Sequence, residues 1–245
     1  MNRHFQFDAR ADFADPQRKQ RVTREVFALI APAYDRFTPG LSLFRDQAWK
    51  REMVRRLPPL AAPACLDLAC GTGDIAFLLA SRYPDGKIIG ADVTEAMLEI
   101  ARRRSRCANV EFRNLDMVRT GLPSAGFDII TGGYALRNAP DLDAALAEIH
   151  RLLKPGGVAV FLDFSNSSRP MLRRLNQFLL HIWSGAWGFL FFGNPKFLTY
   201  ITASLAAFPD RIELRRRFAA HGLEVTASRL HLAGILETIF LKKQS

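Results

Sequence analysis

The sequence predicts a doubly wound α/β fold, on three observations. Short apolar runs of strand length alternate with amphipathic helical segments over residues 65–164. A small-residue turn, Ala69-Cys70-Gly71-Thr72-Gly73, joins the first run to its helix. Two β-type runs, 224–230 and 235–241, follow closely after the last helix. Strands separated by helical crossovers pair in parallel, which gives an open Rossmann-like sheet. The close final pair predicts an antiparallel C-terminal edge. A chain of 245 residues is long enough to bury one large core of this kind. Residues 1–57 read as an N-terminal helical cap and 58–245 as the sheet domain, which carries a helical, aromatic insert at 165–209.

Taken in order, residues up to about 20 are polar and of mixed charge, and are expected to dock loosely. Thr23 is placed to cap a helix with Val26, Phe27 and Ile30 on one face, ended by Pro32. A loop and helix over 34–49 then lie across the sheet domain, and Pro58, Pro59 and Pro63 stiffen the approach to the first strand, at 65–68. Further strands are predicted at 87–92, 110–115, 127–132 and 158–164. Thr94 and Asp141 cap the intervening helices, and Lys154-Pro155-Gly156-Gly157 turns the chain into the fifth strand. Asp210 caps a last helix that Gly222 terminates.

The net charge is +10, with clusters at Arg102-Arg103-Arg104, Arg173-Arg174, Arg215-Arg216-Arg217 and Lys242-Lys243. Such clusters suit nucleic acid or an anionic membrane, and equally the solvated helix faces of a basic protein. Cys65, Cys70 and Cys107 form neither a CxxC pair nor a disulfide framework, which fits a reducing compartment. The N-terminus lacks an apolar signal core, and no run of about 18 apolar residues occurs, so a cytoplasmic location is expected. The insert, with Phe178, Trp183, Trp187, Phe189 and Phe191, is too short an apolar stretch to span a bilayer. It reads either as a cap packed on the sheet or as a lid over a lipid-like ligand, in peripheral contact with the inner face of a membrane. No His, Cys or Asp cluster has metal-ligand spacing, so no metal is expected.

The glycine turn carries the ligand argument. Gly71-x-Gly73-x-x-Ala76 fits a dinucleotide fingerprint, with Asp92 about 20 residues on to hold a ribose. Asp74, however, falls in the first helical turn, where a pyrophosphate would be repelled, and Asp67 on the preceding strand adds a second negative charge. The competing reading makes Asp74 a helix cap only. A ligand cationic near the turn and bearing a ribose beyond it has the shape of S-adenosylmethionine.

The pairs Tyr34-Asp35, Leu41-Ser42 and Trp49-Lys50, the run from Leu66 to Asp74, Gly90-Ala91-Asp92 and Met97-Leu98 form a recognisable pattern. Leu136-Arg137-Asn138, Leu152-Leu153-Lys154-Pro155-Gly156-Gly157 and Leu162-Asp163-Phe164-Ser165 continue it, as do Tyr200 and Ser204. Over about 24–223 the chain resembles the ubiquinone/menaquinone biosynthesis C-methyltransferases, a family of class I S-adenosylmethionine-dependent enzymes. It departs from their usual residues at Thr38 (Asn), at Phe44 (Gly), at Asp46 (His) and around 233–237, all expected to flank the acceptor.

The resemblance implies methyl transfer from S-adenosylmethionine to a ring carbon of a quinol or phenol with a prenyl-type tail. It implies that Gly71, Thr72 and Gly73 surround the methionine part of the donor, with Asp67 and Asp74 supplying negative potential. Asp92 would hold the ribose, Asp116 and Met117 the adenine, and Gly133 would let the backbone approach; Tyr34 joins this set. Arg137 would stabilise the acceptor's oxyanion, with Asp163 as first candidate base and His181 as second. Asn138, Tyr200 and Ser204 would face the acceptor. The resemblance leaves a homodimer open. Alternatives are another small aromatic acceptor, a non-catalytic lipid binder and a nucleic-acid methyltransferase. Against the last, neither an Asp-Pro-Pro-Tyr motif nor a catalytic Pro-Cys loop is present, so nucleic acid is not an expected partner.

Overall fold

A computed structural model describes residues 12–192 and 199–244. Its centre is one seven-stranded sheet. The strands are β1 (Ala64–Leu68), β2 (Lys87–Asp92), β3 (Val110–Asn114), β4 (Phe127–Gly133), β5 (Leu153–Phe164), β6 (Leu223–His231) and β7 (Leu236–Lys243), in the order β3-β2-β1-β4-β5-β7-β6. The first five pair in parallel, while β7 runs antiparallel to both β5 and β6, so the expected doubly wound sheet and antiparallel edge are both present. β1 lies between β2 and β4, where the strand order reverses. Ligands of such sheets bind there, beyond the carboxyl ends of the strands.

Helices cover both faces, which is why Cys65, Leu66, Asp67 and Leu68 of β1 are all fully buried. On one face α3 (Asp46–Arg55), α4 (Asp74–Arg82) and α5 (Glu95–Arg104) contribute Trp49, Met53, Leu79 and Leu98 to a core. On the other, α6 (Leu142–Leu152) and α9 (Arg211–Ala220) contribute Leu146, Ile149, Leu214 and Phe218. A third cluster joins α1 (Pro16–Ile30) and α2 (Tyr34–Leu41) to Met97 of α5 and Tyr200 of the insert. This third cluster fastens the N-terminal helices over the carboxyl ends of the strands.

Two expectations are corrected. α1 begins at Pro16, with Asp15 as its N-cap accepting from Arg18 N at 2.8 Å, so residues 16–20 are helical rather than loosely docked. Residues 1–11 lie outside the described part. Thr23 is therefore not a cap; it is buried in mid-helix, with Oγ1 hydrogen-bonded to the Tyr200 hydroxyl at 2.7 Å. The insert is helical as expected, comprising α7 (Pro170–Phe192) and α8 (Thr199–Ala206). Among the described residues, no helix is long and apolar enough to cross a membrane.

Candidate active site

The turn after β1 takes its shape from left-handed backbone at Ala69 (φ 52°), Gly71 (φ 56°) and Gly73 (φ 93°). A side chain on Gly73 would also strike the Phe77 ring at 2.9 Å, so two requirements select glycine there. Asp92 locks the turn: its Oδ2 accepts from Gly71 N at 2.9 Å and its Oδ1 from Thr94 N at 2.8 Å. Burial raises the pKa of Asp92, against these hydrogen bonds that favour the carboxylate.

The two acids near the turn differ. Asp67 is fully buried; Oδ1 accepts from Thr131 Oγ1 at 2.8 Å, while Oδ2 has no partner. Burial pushes its pKa up to about 7. Asp74 sits at the start of α4 after Gly73, which occupies the N-cap position. Burial raises its pKa, but Lys50 at 3.1 Å and Arg104 at 2.8 Å outweigh that and hold it below the usual range. Gln47 also donates to Asp74 at 2.6 Å. Asp74 shares its two cations with other acids, Lys50 with Asp46 and Arg104 with Asp35, while Asp67 keeps one oxygen without a hydrogen-bond partner.

Gly71, Asp92, Asp116, Met117, Gly133 and Tyr34 line one cavity at the carboxyl ends of β1, β2 and β4. Gln20, Thr23 and Phe27 of α1 form one of its walls, and Gln20 donates to Asp116 Oδ2. Thr72 does not line this cavity: its hydroxyl donates to Asp35 Oδ1 at 2.8 Å, and Arg104 bridges Asp35, Asp74 and the Thr72 carbonyl.

A second cavity, of about 640 Å³, lies between α1, α2, α7 and α8. Its wall is mostly apolar, including Val26, Ile30, Phe37, Leu41, Ile182 and Trp183, and Arg137 is its only charged lining residue among those described. Phe27, Tyr34 and Tyr134 line both cavities, which makes the two neighbours across three aromatic side chains.

Arg137 is buried. Its backbone N donates to Asp163 Oδ2 at 3.1 Å, and one guanidinium nitrogen donates to Ser204 Oγ. The guanidinium carbon lies 5.0 Å from the Phe164 ring centroid, and Nε has no hydrogen-bond partner. Asp163 lines neither cavity. Its oxygens accept from the backbone N of Arg137 and of Phe164 (2.8 Å), and Oδ1 lies 3.9 Å from Arg137 Nε. Burial raises its pKa and the guanidinium opposes the rise. His181 is exposed, with Nδ1 3.4 Å from Thr202 Oγ1, and it too lines neither cavity. Neither expected base is therefore brought to the larger cavity. Tyr200 lines it, while Ser204 supports Arg137 from behind and Asn138 lines the donor-side cavity. Tyr200 OH also bonds to Asn138 Oδ1 at 3.1 Å.

Sequence reasoning missed a buried polar cluster on the cap. Lys50 pairs with Asp46 at 2.6 Å as well as with Asp74, and Tyr134 OH donates to Asp46 Oδ1 at 2.7 Å. The i,i+4 spacing of Asp46 and Lys50 was its one visible sign. Within the basic clusters, Arg102 pairs with Glu95, Arg104 with Asp35 and Asp74, Arg215 with Glu237, and Arg217 with Asp143 and Glu213.

Residues 15–242 match the model of the ubiE/COQ5 methyltransferase family. The demethylmenaquinone methyltransferase of Lactococcus lactis is 31% identical over 229 residues, covering 92% of this chain and 90% of that protein. The 2-phytyl-1,4-naphtoquinone methyltransferase of Nostoc punctiforme is 35% identical over 207 residues, covering 79% and 87%. A solved SAM-dependent methyltransferase from Aquifex aeolicus shares the fold, with a TM-score of 0.57 at 15% identity over 94% of this chain and 98% of that one. A glycine turn pinned by the carboxylate of Asp92, on a sheet of this order, agrees with the family match across nearly the whole chain. The chain belongs to the ubiE/COQ5 methyltransferase family and is a class I S-adenosylmethionine-dependent methyltransferase.

Proposed function

We propose that this enzyme methylates a ring carbon of a quinol bearing an apolar, prenyl-type tail, and that it meets this acceptor at an anionic membrane surface. The observation that carries the reading is the 640 Å³ apolar cavity with a single cation, Arg137, set beside the donor-type cavity. An apolar wall with few convergent polar groups suits a greasy ligand with one polar head. The names of two relatives carry demethylmenaquinone and a phytyl-substituted naphthoquinone, acceptors of that kind.

The residues present fit the donor. Asp67 lines neither cavity, but its buried Oδ2 without a partner leaves negative potential behind the turn that favours a cationic group near Gly71, and no atom lies where a Gly71 side chain would project. Gly71 would hold the methionine end, with Thr72 and Gly73 shaping the turn behind it, Asp92 the ribose, and Asp116 with Met117 the adenine. The bound donor supplies an electrophilic methyl on a sulfonium. Phe27, Tyr34 and Tyr134 keep water from the junction and fix the line of approach. Arg137 sets a buried cation in the cavity wall for the oxygen that becomes anionic, and Asp163 and Ser204 hold the guanidinium in place. Asp163 thus serves as a positioning group rather than a base.

The membrane half rests on α7. Met171, Phe178, Phe189 and Leu190 are 83%, 61%, 66% and 70% exposed, and Arg169, Arg173 and Arg174 lie at its start. Lys196, expected to flank this surface, lies outside the described residues. Leu179, Ile182 and Trp183 are partly exposed and also line the cavity, so the acceptor's route opens on the same face. Trp187 instead packs on Gly40 of α2 and stacks on Phe191 at 5.3 Å, clamping the insert to the cap. Incubation with labelled donor and a bacterial lipid extract should label a quinone fraction, and label confined to water-soluble products would reject the acceptor class. Sedimentation with anionic liposomes, weakened by salt, tests the surface; binding absent at every salt concentration would reject it.

A further inference from the structure

A phenolic acceptor must lose, or strongly share, its hydroxyl proton before its ring carbon becomes a good nucleophile. No Asp, Glu, His or Lys side chain is among the described residues lining the acceptor cavity. Its ionisable lining groups are Arg137, Tyr34, Tyr134 and Tyr200. Arg137 is a cation without a lone pair to give. Tyr200 shares its hydroxyl with Thr23 and Asn138. Tyr134 differs, because its hydroxyl donates to the carboxylate of Asp46 at 2.7 Å. Asp46 is itself 3% exposed and is held by Lys50 Nζ at 2.6 Å on Oδ2, leaving Oδ1 to Tyr134.

We infer that Tyr134 and Asp46 form the proton relay for the acceptor hydroxyl, a reading that rests on the phenolic acceptor proposed above. The acceptor's O–H bond breaks as its proton passes to the Tyr134 oxygen, and the Tyr134 proton passes to Asp46 Oδ1. Tyr134 ends neutral, Asp46 neutral, and the acceptor anionic, with its charge opposite Arg137. The electron pair released on oxygen raises density at the adjacent ring carbon. A carbon–carbon bond then forms to the methyl, and the sulfur keeps the pair of the broken bond. The ring carbon afterwards loses its proton to water, and the proton stored on Asp46 returns through Tyr134 to the oxygen. One proton is released overall.

Two features of the site favour a relay over a resident tyrosinate. Burial, reinforced by the carboxylate of Asp46, raises the Tyr134 pKa well above 10, so the tyrosine stays a neutral phenol that can only pass a proton on. Lys50 stands between Asp46 and Asp74, so it keeps Asp74 as a carboxylate partner while Asp46 holds the proton.

The test compares Tyr134→Phe and Asp46→Asn with the wild type on two head-group quinols. One is un-ionised at the assay pH; the other carries electron-withdrawing substituents that ionise its hydroxyl. A working relay makes both variants lose about 100-fold or more in kcat with the first acceptor and only a few-fold with the second. Donor affinity by calorimetry should stay within a few-fold of wild type for both. Equal losses on the two acceptors, or a loss confined to donor binding, would overturn the relay. Tyr134→Phe retains the ring and guards against a folding artefact of Asp46→Asn. A binding comparison needs no turnover: the wild type should prefer a hydroxynaphthalene over its methyl ether about tenfold, and Tyr134→Phe should abolish the preference. If the wild type methylates neither quinol, the acceptor reading fails, and the ether comparison still decides the relay: a preference that survives Tyr134→Phe overturns it.

Discussion

Asp67→Asn should stabilise the ligand-free enzyme at alkaline pH while weakening its hold on the donor. The carboxyl is fully buried, one oxygen is satisfied by Thr131, and the other has no partner. Its pKa is pushed from 3.8 to about 7 by burial. A carboxyl raised in the folded state binds its proton more tightly there than in the unfolded chain. Its penalty is therefore absent below the unfolded pKa, grows as pH rises, and is complete above the folded pKa. Carrying a carboxyl from about 4 to about 7 corresponds to up to about 4 kcal/mol at pH 8. Thermal unfolding followed from pH 5 to 8 should show the variant gaining on the wild type as pH rises, by several degrees at the alkaline end for a chain of this size. Donor binding should run the other way. A cation beside Oδ2 favours the carboxylate, so wild-type affinity should climb as pH rises toward 7 with release of up to one proton, and the variant should show neither effect. Calorimetry in buffers of different ionisation enthalpy reads that proton directly. A stability gap independent of pH, or a variant that binds the donor as tightly as wild type at pH 8, would refute the reasoning.

Other expectations follow from the same geometry. Arg137→Ala should lower turnover about 100-fold or more with little change in donor affinity, since its cation matters once the acceptor oxygen is anionic; lost donor binding with turnover intact at saturation would move Arg137 to the donor site. Asp92→Ala should weaken the donor by about 1.5–3 kcal/mol, and an unchanged dissociation constant in a folded variant would contradict the ribose role. Ile182→Ser with Trp183→Ser should raise the Michaelis constant for a long-tailed acceptor and spare a truncated head group, whereas equal effects would make the insert mere core. Gly73→Ala should unfold at lower temperature, because the left-handed backbone and the Phe77 ring both oppose a side chain.

The sheet was legible because its strands are buried on both faces and separated by capped amphipathic helices, a pattern that local chemistry writes directly into sequence. The glycine turn and its link to Asp92 were legible for the same reason: Gly71, Gly73 and Asp92 lie within one strand-turn-helix unit and its neighbour. What failed to show were partnerships across the chain. Asp74 read as a free charge because Arg104 and Lys50 sit 30 and 24 residues away. Asp163 read as a base because its two backbone partners and its guanidinium depend on how the turn after β4 folds back on β5. Thr23 read as a cap because nothing local reveals that Tyr200, 177 residues later, takes its hydroxyl. Residue type announces chemistry, but only packing decides whether that chemistry is already committed.

The departures from the family's usual residues acquire meaning from where they fall. Thr38, Ala233, Ile235 and Leu236 line the acceptor cavity, and Asp46 touches Tyr134, which lines both cavities. Phe44, a further departure, is 79% exposed and lines neither cavity. The residues of the acceptor wall must fit the head group they receive, so a change among them acts on acceptor choice first. Restoring the usual asparagine with Thr38→Asn and the usual histidine with Asp46→His should accordingly change the ratio of kcat/KM between two quinol acceptors while leaving donor affinity within a few-fold. A shift in donor affinity with acceptor preference intact would place these residues in the wrong site.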